Sequence, residues 1–194
     1  MISLLLNLVI AVSTAICIGL SAKESPMHVV MRFFTSLSNV YSGIAGAVLV
    51  VFRARELAGV IEAIPNAILV IKYSATASVT VTLLTVMVFL GPVVIGYKPL
   101  LTGTGLWLHL INPVLALVSL FIWDKPTAGF WVVFLGLLPV VLYGILYLYK
   151  VVVVPEGKGW DDFYGFNRGG KWPLSFTAMM IGGFLVSLAL WLIG

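Results

Sequence analysis

Apolar residues run along this chain in six long blocks, at 1–20, 27–52, 69–95, 101–123, 129–149 and 172–193. Each is close to the ~20 residues that an α-helix needs to cross a bilayer. The breaks between them carry charge and turn residues: Lys23-Glu24-Ser25-Pro26, Arg53 to Pro65, Gly96 to Pro99, Asp124-Lys125-Pro126, and the long stretch from Pro155 to Lys171. Barrel strands alternate apolar and polar residues at every second position, and these blocks do not. The pattern predicts an all-α integral membrane protein, a bundle of six transmembrane helices forming a single domain over 1–194.

Composition strengthens this expectation. Hydrophobic residues make up 61% of the chain and charged residues 9%, against about 25% charged in soluble domains. The first block lacks the basic start of a secretory signal, so it is read as a span. Cys17 is the only cysteine. That excludes an internal disulfide and a thiol metal site, and a buried, inert thiol is its default role. The net charge of +4 is spread between apolar blocks, so no nucleic-acid partner is expected.

Six spans put both termini on one side, called side A. Side B then receives Lys23, Arg32, Lys98, Lys150, Lys158, Arg168 and Lys171, while side A receives Arg53, Arg55, Lys72 and Lys125. The positive-inside bias makes side B cytoplasmic. The expected location is a bacterial inner membrane with extracytoplasmic termini.

Within the apolar blocks, polar residues fall at helical spacing. Arg32, Thr35, Asn39, Ser42 and Gly46 share one face of the second span, and Gly105, His109, Asn112, Ala116 and Ser119 one face of the fourth. Ser78, Thr82 and Thr85 align on the third, and Tyr143, Tyr147 and Lys150 on the fifth. Lipid-facing surfaces have no need of such stripes, whereas helix contacts and internal cavities do. Counted from Pro26 and Pro99 along continuous helices, Thr35 and His109 both lie ~13–15 Å in from side B. A hydroxyl and an imidazole at one depth suggest a nucleophile and its general base. Asn39 and Asn112 are candidates to orient the pair or to stabilise an oxyanion, with Tyr143, Tyr147 and Thr85 nearby. Each has a plainer role: Ser and Thr bond their own helix, Asn joins helices, and Tyr belts the interface. Asp161 and Asp162 read as a solvated loop face. Metal and redox chemistry are disfavoured, because no Cys, His and carboxylate cluster has ligand spacing. No cofactor is expected.

Two stretches resemble a known family. Arg32-Phe33-Phe34-Thr35-Ser36-Leu37-Ser38-Asn39 is similar to the F-[FT]-T-x-x-S-N signature of six-span proteins related to the androgen-induced gene and androgen-dependent TFPI-regulating proteins. Trp107-Leu108-His109-Leu110-Ile111-Asn112-Pro113-Val114-Leu115 resembles that family's L-x-H-x-x-x-P-x-L stretch. Gly159 to Phe166 is more loosely similar to its W-x-Y-P-F loop and lacks the Tyr-Pro-Phe core. The order of spans agrees over nearly the whole chain. The resemblance implies an intramembrane threonine hydrolase of lipid esters, such as fatty acid esters of hydroxy fatty acids, with Thr35 as nucleophile and His109 as base. The partner it implies is a membrane lipid or acyl ester. A small-solute or lipid carrier is the competing reading, since Ser42, Ser74 and Ser119 extend the polar stripes toward side A. A non-catalytic scaffold is the third.

Overall fold

The computed structural model describes residues 1–155 and 157–193. Six helices in it are long and apolar enough to cross a membrane: α1 (Ile2–Glu24), α2 (Phe34–Leu57), α3 (Asn66–Ile95), α4 (Gly103–Ile122), α5 (Val132–Val153) and α6 (Trp172–Ile193). Short helices at Met27–Val30, Tyr97–Leu100 and Arg168–Gly170 lie at the side B end. Among the described residues there is no strand, and the all-helical six-span bundle expected from the pattern is the fold.

α3 is the central helix. It packs on α2, α4, α5 and α6, while α1 packs on α2 and α4. From Lys72 to Thr80 every residue of α3 is buried. Small residues make this possible, because without a hydrophobic drive in lipid, helices associate by close approach. The hydroxyls of Thr76, Ser78 and Thr80 donate to the carbonyls of Lys72, Ser74 and Thr76 at 2.9, 2.9 and 2.8 Å. Their polarity is thereby absorbed within the helix. At the α1–α2 contact a Cβ on Gly46 would lie 3.0 Å from the carbonyl oxygen of Asn7, so this crossing depends on glycine.

Two expectations from the pattern need correction. The second apolar block is not one helix. It breaks at Met31-Arg32-Phe33, where Phe33 takes an extended conformation before α2 begins. Lys72, counted above with the basic residues of side A, does not face that side either. It is fully buried inside α3, which starts at Asn66.

Proline disturbs two of the spans. Pro92 lies in the stretch Thr85–Ile95, where α3 takes π-type hydrogen bonding. In α4 the π-type stretch is Trp107–Ile111, directly before Asn112 and Pro113. Proline supplies no N–H to the carbonyl one turn back, so the regular ladder fails there.

Candidate functional site

The break at 31–33 decides the setting of Thr35. It is the second residue of α2, in the turn whose N–H groups have no carbonyl to meet inside the helix. The N–H of Phe34 donates to the hydroxyl of Tyr164 at 3.2 Å, and that of Leu37 to the carbonyl of Phe33 at 3.2 Å. Among the described residues the N–H groups of Thr35 and Ser36 have no partner. The continuous-helix depth given to Thr35 by the sequence therefore does not hold. Thr35 lies at a helix start, which carries positive dipole and free donors.

His109 sits in the π-type stretch of α4. Its Nδ1 is 2.7 Å from the carbonyl oxygen of Leu100. A carbonyl only accepts, so Nδ1 carries the proton and the neutral ring keeps its lone pair on Nε2. The short helix Tyr97–Leu100 thus fixes both the tautomer and the orientation of the imidazole. Among the described residues no hydrogen bond joins Thr35 to His109.

What the two share is a cavity of about 1380 Å³, which both line together with Ser36 and Tyr164. It opens sideways. Leu8, Val9, Val12, Ile16 and Leu20 of α1 line it and are all more than 40% exposed, so a wall of the cavity is continuous with the apolar outer surface.

The remaining candidates take up other positions. The side-chain amide of Asn39 donates to the carbonyls of Thr35 and Leu108, both at 2.9 Å. Asn112 donates to Thr14 Oγ1 and to Asn39 Oδ1 at 3.2 Å each, and accepts from Ser13 Oγ at 2.7 Å. Both are fully buried. Their donors are committed to joining α1, α2 and α4, so they hold the site from behind and do not line the cavity. Tyr143 donates to the carbonyl of Arg32 at 2.8 Å, satisfying the backbone exposed by the break before α2. Tyr147 donates to Asp162 at 3.1 Å. Neither tyrosine lines the cavity, and nor does Thr85, at the start of the π-type stretch of α3.

Three features escaped the sequence pattern. The first is the loop between α5 and α6. Asp162, read above as solvated, accepts from Tyr147 and from the N–H groups of Phe166 and Asn167 at 3.1, 2.7 and 2.8 Å. The second is Tyr164, which this fold of the loop places on the cavity wall. Burial pushes its phenol up to about 12, against ~10 for a free tyrosine. The third is a polar cluster at side A. Asp124, fully buried, accepts from Ser3 at 2.7 Å, Asn7 at 2.8 Å, Arg53 at 3.0 Å, and also Ser119. Arg53 also pairs with Glu56. Lys72 Nζ, Asn7 Oδ1 and Ser42 Oγ are buried with no partner. A lysine inside the third apolar block was the available signal.

The chain matches no family model, no curated protein and no solved structure.

Proposed function

We propose that this protein hydrolyses lipid esters inside the membrane, with Thr35 as nucleophile and His109 as general base. The observation that carries this reading is the shared, laterally open cavity, with a hydroxyl and a free imidazole nitrogen on its wall. An ester enters from lipid, and Thr35 Oγ1 attacks its carbonyl carbon. The hydroxyl proton passes to His109 Nε2, directly or through one water. The oxyanion meets the unpartnered N–H groups of Thr35 and Ser36 at the positive end of α2. Collapse breaks the ester C–O bond and leaves an acyl-threonine. The proton on Nε2 leaves with the alcohol. A water molecule, deprotonated by the same nitrogen, then releases the fatty acid and restores Thr35.

The likeness of Phe33 to Asn39 and of Leu108 to Leu115 to the six-span threonine hydrolases supports this assignment. The bacterial inner membrane is the proposed location, with side B cytoplasmic. Removing buried Lys72 from the side A count leaves seven basic residues against three, which strengthens the charge bias.

Labelling with a lipid-tailed fluorophosphonate, followed by mass spectrometry, tests the chemistry. An adduct on Thr35 that is lost in Thr35→Ala and in His109→Ala is the expected result. Wild-type protein that folds and stays unlabelled contradicts it.

One observation favours the carrier reading. Buried polar side chains continue from Asn39 and Asn112 to Asn7, Asp124 and Lys72 at side A, and intramembrane charges commonly mark ion and proton routes. A carrier requires flux in proteoliposomes that depends on Lys72 and Asp124 and is indifferent to His109.

A further inference from the structure

The proton of the neutral His109 ring is assigned by a single backbone oxygen. Among the described residues, Nδ1 meets the Leu100 carbonyl at 2.7 Å, and that carbonyl accepts from no other group. If the oxygen moved away, the proton could sit on either nitrogen, and a ring protonated on Nε2 cannot take a proton from Thr35. Two residues outside the ring hold the oxygen in place.

The first is Gly105, in the opening turn of α4. A Cβ there would lie 2.6 Å from the Leu100 carbonyl oxygen and 3.2 Å from its carbon. Gly105 is not among the glycines with positive φ, so its backbone conformation does not call for glycine. The space of its missing side chain is filled by the carbonyl that His109 bonds, and His109 lies four residues further along the same helix face.

The second is Tyr97, at the start of the short helix that ends at Leu100. Its ring lies on Gly91 of α3, where a Cβ would collide with it. Its hydroxyl donates to the Met87 carbonyl at 2.8 Å. In π-type hydrogen bonding that carbonyl is the partner of the N–H five residues on. Residue 92 is proline and has no N–H to give, so the tyrosine hydroxyl supplies a donor there. At the other end of the short helix, the Leu100 side chain packs with Val86 and Leu90 of α3. The segment is thus pinned to the irregular part of α3 at both ends, and its last carbonyl is delivered to His109.

We infer that Gly105 and Tyr97 are positioning residues for His109, placing the Leu100 carbonyl so that Nδ1 carries the proton and Nε2 remains the free base. The inference rests on the hydrolase reading for the use made of Nε2, and its test separates the two.

The tautomer is read by ¹⁵N NMR of the ring in nanodiscs at about pH 8.5, well above the ~6.5 of a free imidazole. A His28→Gln background leaves His109 as the only histidine, and His28 is exposed. The wild-type ring should be protonated on Nδ1. In Gly105→Ala, which favours the helix itself, the added Cβ displaces the carbonyl. The Nδ1–H signal should give way to a mixture of tautomers, and fluorophosphonate labelling of Thr35 should slow about five- to tenfold, the factor carried by one hydrogen bond. Tyr97→Phe keeps the ring on Gly91 and removes only the hydroxyl, so both readouts should move the same way by less. Tyr97 is 44% exposed, so this variant folds and decides the matter if Gly105→Ala does not fold. A wild-type ring protonated on Nε2, a tautomer unmoved in the folded variants, or labelling that slows while the tautomer stays fixed overturns the inference. A tautomer that follows the variants, with Thr35 unlabelled in the wild type, leaves the inference standing and rejects the hydrolase.

Discussion

The side-chain amide of Asn39 donates to the carbonyl oxygen of Leu108 at 2.9 Å, one residue before His109. The same nitrogen donates to the carbonyl of Thr35, also at 2.9 Å. One buried side chain therefore ties the segment bearing the hydroxyl to the segment bearing the imidazole. Asn39→Leu has similar bulk and neither donor. It should lower stability by about 1–3 kcal/mol, the cost of stranding buried acceptors, and should slow fluorophosphonate labelling of Thr35 while leaving its chemistry in place. Thermal unfolding in detergent and the labelling rate give the two readouts. A variant that labels at the wild-type rate would show that Asn39 does not position the pair.

Asp124 and Lys72 should respond oppositely to loss of charge. Asp124 accepts from four side chains in a fully buried site, so Asp124→Ala strands them and should cost about 3–5 kcal/mol. Lys72 Nζ makes no hydrogen bond, and an amine buried without one is a burden in itself. Lys72→Met, which keeps the packing volume, should leave stability within about 1 kcal/mol of wild type or raise it. Unfolding by denaturant in mixed micelles distinguishes these outcomes, and a large loss in Lys72→Met would mean that the amine has a partner, such as an internal water.

The loop from 155 to 171 should depend on one carboxylate. Asp162 gathers a tyrosine hydroxyl and two backbone N–H groups. Asp162→Ala removes all three bonds at a cost of about 1–3 kcal/mol. Trypsin should then cut at Lys158, Arg168 and Lys171 many times faster than in wild type, with cleavage within the six spans unchanged. Equal cutting would place the stability of the loop in its aromatic contacts instead.

Tyr164 predicts an alkaline transition at the cavity wall. Its folded pKa lies above the free value, at about 12, because burial disfavours the phenolate. The neutral form is thus the one the fold prefers. Its stabilising contribution is complete below pH ~10, the unfolded value, and is lost as pH rises through about 12. Proteolysis of the loop should accelerate across that window in wild type. In Tyr164→Phe that component should be missing, at the cost of the bond from the N–H of Phe34. A loop equally labile across the window in both proteins would argue against titration of this residue.

Hydropathy alone determined that the chain forms six membrane-length helices. Their apolar runs are long, and charge and turn residues separate them. The residues at the candidate site were legible for the same reason, since a threonine, a histidine and two asparagines at helical spacing stand out against an apolar background. Only the tertiary structure decided how they are used. Asn39 and Asn112 became ties between helices because each meets acceptors and donors on neighbouring spans, which no spacing within one span reveals. Thr35 moved to a helix start because Tyr143 and Tyr164 from distant elements satisfy the backbone around the break. Asp124 was drawn inward by donors brought from α1, α2 and α4, while Lys72 was buried by the helices that close around α3. Periodicity records which face of a helix is polar. It does not record which helix lies opposite, and in a lipid-filled environment the partner opposite determines whether a polar group joins helices, lines a cavity or remains unpaired.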